Sequence, residues 1–471
     1  MGTGYLALTD ADREAMLEAI GVVSVADLFV DIPEQVRLRR ELALPAPASE
    51  IEVERELTEL AGRNVHTGRE LSFLGAGVYD HYVPAIVDAV ISRPEFLTAY
   101  TPYQPELSQG VLQAIFEYQT VICELTGLPV SNASLYDGTT ALTEATLLAG
   151  AHTRRGGVVV SAGVHPEYRQ VLATTSNAHG PRPVEVALSG RGYTPLESLA
   201  AAVDGDTAAV VVQQPNFLGG LEEMAAAAQL AHDAGALFVA VVDPLSLGLL
   251  KPPGEYGADI AIGEAQSLGN YLSFGGPYLG FMAVAEPLLR RLPGRIAGET
   301  VDTEGKRGYV LTLQTREQHI RRERATSNIC SNHALNALAA LVYLSWLGQE
   351  GLPELSLHCA RKAAYLRERL AALPGVEPLP EGPVFREFGL RLPVPASQLI
   401  EALVPQGYLA GVDAGRWFSG LDDVLLVAVT ERRTRAQLDA FVEAVATYLA
   451  GEGKRPAGQG KRAAGEGTRR G

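Results

Sequence analysis

The stretch that most constrains this 471-residue chain is 157–285, where short apolar runs alternate with alanine-rich segments. Residues 157–161 (Gly-Val-Val-Val-Ser), 208–213 (Ala-Ala-Val-Val-Val-Gln) and 237–243 (Leu-Phe-Val-Ala-Val-Val-Asp) lack the apolar/polar alternation of a half-exposed strand. They read as strands buried on both faces, which is the habit of parallel sheets. The alanine-rich segment 222–234 between two of them reads as a helix, so the pattern predicts βαβ units and a mostly parallel central sheet, an α/β fold. A further run, 259–263, leads into Glu264-Ala265-Gln266-Ser267-Leu268-Gly269. Strands at 384–392 and 424–429 and a closing helix at 434–450 predict a smaller C-terminal α/β domain over 331–451.

The rest of the chain divides around this core. Residues 1–63 read as a helical arm: Thr9 or Asp10 starts a helix that stops near Gly21, and Ser49 with Glu52 forms a capping box for one that ends near Gly62. Residues 64–330 form the large domain. A helix starts near Ser108 and runs toward Leu125, and 317–349 reads as a long helical region after a basic start. Residues 452–471, mostly Gly, Ala, Lys and Arg without periodicity, read as a disordered tail.

Composition narrows the function. A net charge of −16 opposes a nucleic-acid groove or an anionic membrane surface, both of which select basic faces. No run approaches the roughly 20 apolar residues of a membrane span, and the acidic N-terminus is unlike a signal peptide. Cys123, Cys330 and Cys359 are far apart, without the spacing of a zinc or redox site, and predict a reducing cytoplasm and no metal. Only five of the 39 basic residues are lysine: Lys251, Lys306, Lys362, Lys454 and Lys461. Few amines are therefore available for covalent chemistry.

Candidate site residues fall at predicted strand ends and in stiff loops. Asp243 ends a strand just before Pro244, where open α/β sheets bind ligands; the alternative is a simple turn cap. Gly138, Thr139 and Thr140 open a helix whose N–H groups suit an anion, though the same pattern serves as an N-cap. His165 follows the 157–161 strand and is placed to face a ring, or to be an ordinary loop histidine. Tyr79, His81, Tyr100, Thr101, Tyr103 and Gln104 stand among Pro84, Pro102 and Pro105, and rigid aromatic hydroxyls suit a pocket for a small polar substrate. The alternative there is an aromatic interface.

Several of these blocks together resemble the glycine cleavage system P-protein, the pyridoxal-phosphate-dependent glycine decarboxylase, in its two-subunit bacterial form. The resemblance rests on 73–84, 92–96, 99–110, 132–138, 213–217, 263–269, 273–277 and 317–330. It implies a fold-type-I, aminotransferase-like architecture in which Asp243 would hold the cofactor's pyridine nitrogen and a lysine would stand near 266. The lysine-bearing subunit of that family has His-Lys-Thr where this chain has Ala265-Gln266-Ser267. An amide is no nucleophile, so Gln266 cannot form a Schiff base. Lys251 comes too soon after Asp243 to replace it.

The resemblance therefore implies half of an active site. Pyridoxal phosphate is expected on a lysine-bearing partner, subunit 2, with Gly138, Thr139, Thr140, His165, Asp243 and Gln266 left here as a vestigial or weak cofactor pocket. Glycine would lose its carboxylate on the partner's cofactor, and the aminomethyl group would pass to the lipoyl arm of the H-protein. Tyr79, His81, Tyr100, Thr101, Tyr103 and Gln104 are expected to help orient glycine. A self-sufficient enzyme using Lys251 and a purely structural scaffold are the competing expectations.

Overall fold

A computed structural model describes residues 7–452 of the chain, apart from 177–179 and 326. The tail expected at 452–471 lies outside the described residues beyond Glu452. Chain contacts group the molecule into two units, 1–65 and 66–471.

The first unit holds α1 (Asp10–Ile20) and α2 (Glu50–Ala61), neither of which buries a residue. Thr9 and Asp12 cap α1 reciprocally, and Gly21 ends it at φ 84°, a left-handed conformation that glycine adopts without steric cost. Ser49 and Glu52 cap α2 in the same way.

The second unit is built on seven strands: β1 (Val130–Ser131), β2 (Gly157–Ser161), β3 (Arg182–Val186), β4 (Thr207–Gln214), β5 (Leu237–Val242), β6 (Ile260–Glu264) and β7 (Gly280–Val284). Their order across the sheet is β1-β7-β6-β5-β4-β2-β3. From β3 to β6 all neighbours are parallel; β7 and β1 are antiparallel to theirs. The apolar runs are continuous because the sheet is covered on both sides. Val210 and Val212 of β4 join one apolar cluster while Ala209 and Val211 join the other, as the two-residue period of a strand requires.

A hairpin, β8 (Ile296–Val301) with β9 (Arg307–Thr312), precedes an antiparallel sheet of β10 (Glu377–Leu379), β11 (Glu387–Arg391), β12 (Val412–Asp413) and β13 (Val424–Ala428) in the order β10-β11-β13-β12. Helices that matter below are α3 (Gln109–Thr126), α4 (Gly138–Thr153), α5 (Pro166–Ser176), α6 (Met224–Asp233), α7 (Ala334–Ala371), α8 (Ala396–Leu403) and α9 (Arg435–Glu452).

The structure departs from the sequence reading at 317–349. Only short helical pieces, Gln314–Arg316, Gln318–Arg321 and Arg322–Arg324, occupy 314–324, and α7 begins at Ala334. The reason is tertiary. Backbone N–H groups of Cys330 and Ser331 donate to the Tyr136 hydroxyl, His333 N–H donates to Ser134 Oγ, and the Asn332 amide donates to the Ala133 carbonyl. These bonds hold the segment open against 133–136. Helix α7 is broken at Gly348 (φ 64°, ψ −169°), a conformation open essentially to glycine alone. Residues before the break, such as Ala340 and Tyr343, are buried with the large sheet, and Ala363, Leu366 and Leu370 after it belong to the small-sheet core. Helix α7 thus contributes to both cores.

Phe73, early in the chain, also belongs to the small-sheet core and stacks on Phe441 of α9 with ring centroids 4.0 Å apart. It is fully buried. Phe73→Ala should destabilise this unit by roughly 3–5 kcal/mol through lost burial and a residual cavity. Chemical denaturation followed by near-ultraviolet circular dichroism would measure it.

Candidate functional site

Each parallel strand delivers its last residues to one edge of the sheet, and there the chain forms a pocket. Its lining includes His165 after β2, Gln213 in β4, Asp243 after β5, Glu264 ending β6, Tyr168 of α5, Tyr79, and Phe385, Arg386 and Glu387 at the start of β11. The cavity is about 50 Å³.

Asp243 does two jobs. One carboxylate oxygen accepts the Leu245 N–H at 3.0 Å, the turn cap, and the other meets Arg386 Nη2 at 2.7 Å. Arg386 is almost fully buried, its guanidinium carbon 3.6 Å from the Tyr79 ring centroid and its Nη1 on His81 Nε2. A guanidinium only donates, so His81 Nε2 accepts, and its Nδ1–H donates to Glu431 at 2.7 Å. The Tyr79 hydroxyl donates to Glu387 at 2.7 Å, and the other Glu387 oxygen takes the Ala76 N–H at 2.6 Å. Burial pushes the Glu387 carboxyl upward, against the pull of the Tyr79 hydroxyl bond. His81, Cys359 and Glu431 gather closely, but burial pushes the Cys359 thiol up to about 12, and the Arg386 cation beside His81 opposes a metal ion.

Gln266 is buried and every polar atom of its amide is used. Its oxygen accepts the Tyr79 N–H at 3.0 Å, and its nitrogen donates to the carbonyls of Tyr79 (3.2 Å) and Asn270 (2.7 Å). Among the described residues no lysine lines the pocket. Lys251 is exposed, and Lys362 donates to the Glu431 carbonyl.

The N-terminus of α4 is occupied from within. Gly138 N–H donates to Glu264 Oε2 at 3.1 Å, while Oε1 of the same carboxylate takes Leu279 N–H (2.8 Å) and Gln266 N–H (3.0 Å). Asp137 caps the helix, accepting Thr140 N–H at 2.7 Å and the Thr139 hydroxyl. Tyr168 presses its hydroxyl against Gly138 where any Cβ would stand, and His165 stacks on the Tyr168 ring at 4.8 Å. His165 is fixed as the neutral Nε2–H tautomer, donating to the Ala76 carbonyl (2.8 Å) and accepting Glu167 N–H at Nδ1; burial lowers its pKa.

The structure therefore brings Tyr79, His165, Asp243 and Gln266 into one neighbourhood, with Gly138 reached through Glu264. His81 lies behind Arg386. Residues 100–104 do not line this pocket: Tyr100 is 91% exposed, and Tyr103 and Gln104 are exposed too. Tyr103 meets Arg295 (5.6 Å, cation to ring) and the edge of His319. Sequence reasoning missed Arg386, Glu387, Glu264 and Tyr168. The one signal was Arg386-Glu387 set between Phe385 and Phe388, a charged pair in an apolar strand context.

The strand order, with a pocket across the carboxyl ends beside a small antiparallel domain, is that of fold-type-I pyridoxal-phosphate enzymes. A sphingosine-1-phosphate lyase from Burkholderia pseudomallei (TM-score 0.64, 14% identity, covering 88% of this chain and 93% of that one) and a Lactobacillus brevis glutamate decarboxylase (0.67, 11%, 89% and 96%) share the fold. Within that class the model of the glycine cleavage system P-protein matches residues 3–445, and the chain belongs to this family. It is 55% identical over 446 residues to a probable glycine dehydrogenase (decarboxylating) subunit 1 of Moorella thermoacetica, covering 95% of this chain and all of the relative. It is 52% identical to the Geobacillus kaustophilus protein of that name over 93% of this chain and 97% of the relative. A crystal structure of the glycine decarboxylase P-protein in inhibitor-bound form superposes with a TM-score of 0.87 at 48% identity, covering 95% of this chain and 100% of that chain.

The residues of this pocket do not fit pyridoxal phosphate. The amine is absent, Asp243 is held by Arg386, and the cavity is far below the roughly 300–1,000 Å³ of ordinary ligand pockets. The lining carries three carboxylates, Asp243, Glu264 and Glu387, against the single Arg386.

Burial lifts the Glu264 carboxyl from 4.5 to about 7, restrained by its three N–H donors. Between those values the folded chain binds a proton that the unfolded chain has released. Stability from this group therefore falls as pH rises from about 4.5 to about 7, by on the order of 3 kcal/mol, and then levels off. Glu264→Gln should flatten the change of melting temperature across that window; Glu144, also lifted to about 7 by burial, leaves a residual slope. Melting curves taken at intervals of pH would show it.

Proposed function

We propose that this chain is the lysine-free subunit of a two-subunit glycine decarboxylase, inactive alone, whose partner carries pyridoxal phosphate. The observation that carries this reading is Gln266. A buried amide, bonded through both polar atoms, stands in the strand-end loop where the family's catalytic amine is expected. Membership of the P-protein family and near-full-length similarity to proteins named subunit 1 support it.

In this reading the partner's cofactor supplies the electron sink for loss of glycine's carboxylate. This chain supplies a wall. The segment 100–104 presents Tyr100, Tyr103, Thr101 and Gln104 on a backbone stiffened by Pro102 and Pro105, with Tyr103 braced by Arg295 and His319. Hydroxyls on a stiff backbone hold a small zwitterion at low entropic cost, and a partner seated over them excludes water, which favours discharge of a carboxylate. Tyr79 and His81 act through the buried network, keeping the neighbouring backbone in place. The lipoylated H-protein is the acceptor of the aminomethyl group. Three cysteines, none in a disulfide, agree with a reducing cytoplasm, and no helix of the described residues is long and apolar enough to cross a membrane.

Borohydride reduction of the purified chain with pyridoxal phosphate, followed by peptide mass analysis, should give no stable adduct at any single lysine. Stoichiometric labelling of Lys251 or Lys362 would defeat the half-site reading. In the reconstituted complex, Tyr100→Phe should lower glycine-dependent turnover by about one order of magnitude, the loss of one hydrogen bond to a charged group. Unchanged steady-state kinetics would remove Tyr100 from the wall.

A further inference from the structure

We infer that Glu264 is a built-in occupant of the anion cradle at the start of α4. With Tyr168 over Gly138 and Arg386 on Asp243, it closes the pocket to phosphorylated cofactors even when an amine is returned to position 266. The inference rests on the half-site reading and goes further. Loss of the amine removes only the covalent link, whereas Glu264 acts on non-covalent binding as well.

A helix N-terminus attracts anions because its first N–H groups lack intrahelical partners. At α4 two of those groups are taken. Gly138 N–H is bonded to Glu264 and Thr140 N–H to Asp137, and the Thr139 hydroxyl is also turned onto Asp137. A phosphate entering here would have to take the Gly138 N–H from a carboxylate that two further backbone donors hold in place, and would lie beside the Asp137 carboxylate as well. Like charges at such distances disfavour each other strongly once desolvated. Steric closure reinforces this, since the Tyr168 hydroxyl occupies the space on Gly138 that leaves no room even for a Cβ.

The rest of the pocket is closed in the same manner by the chain itself. His165 stacks on Tyr168, and the Asp243 carboxylate is paired with Arg386 at 2.7 Å. Arg386 and Glu387 come from the start of β11, so the plug is also a clamp between the small sheet and the strand ends of the large one. A complex of this chain with a lysine-bearing partner would hold one cofactor per pair, with none diverted into a second, unproductive pocket.

The test uses full-length chain carrying Gln266→Lys, alone and combined with Glu264→Ser, incubated with pyridoxal phosphate, reduced with borohydride and mapped by peptide mass analysis. Circular dichroism and melting curves confirm that each variant is folded. The single variant should show no labelling at 266 above the wild-type background, and the double variant should approach one label per chain at that position. Stoichiometric labelling of the single variant overturns the proposal, as does background labelling of a folded double variant. If the serine variant does not fold, Glu264→Gln with Gln266→Lys decides the matter: it should label above the single variant, and equality overturns the proposal. Labelling of a native lysine in the wild-type chain would instead overturn the half-site reading, while labelling at 266 still reports on Glu264 separately.

Discussion

The buried pair of Arg386 and Asp243 is the contact on which the second unit's arrangement depends. One partner comes from the end of the central strand β5 and the other from the start of β11, so the bond joins the two sheets directly. Arg386 is buried and Asp243 is largely so, and removing one partner of a buried pair typically costs roughly 3–5 kcal/mol because the other charge is stranded. Around this bond the remaining polar groups are arranged as a chain. His81 links Arg386 to Glu431, Tyr79 links the guanidinium face to Glu387, and Gln266 fixes the Tyr79 backbone. A pocket that in its fold class receives a ligand is filled here by the protein's own side chains.

The strand-end groups are thus answered from within the chain. Asp243 meets an arginine, Gly138 at the start of α4 meets Glu264, and His165, a neutral tautomer, faces Tyr168. Each group still needs a partner because buried polar atoms without one are costly, and the fold supplies that partner internally. Away from this pocket, Tyr100, Tyr103 and Gln104 of the segment 100–104 lie exposed.

Much of the fold was legible from local pattern. The continuous apolar runs marked β2, β4, β5 and β6 because a sheet covered on both faces erases alternation. The Thr9 and Ser49 capping boxes marked two helix starts because their chemistry is contained within four residues. The segment 317–333 misled the reading because its charged, helix-permissive composition is overruled by distant partners at Ser134 and Tyr136. Asp243 and His165, which line the pocket, were singled out because strand ends are predictable positions. Arg386 and Glu387 were not, since each lies far along the chain from the group it engages.

By itself the sequence determined the class of fold and the absence of an amine at 266, because strand periodicity and residue identity are local facts. The tertiary structure alone decided how the polar groups around position 266 are partnered. Whether a carboxylate such as Glu264 faces solvent, a ligand or a helix N-terminus depends on how β6 and α4 are set against one another, and a linear pattern does not encode that distance. The same holds for Arg386, whose charge is acceptable in the interior only because folding brings Asp243 to within a hydrogen bond of it.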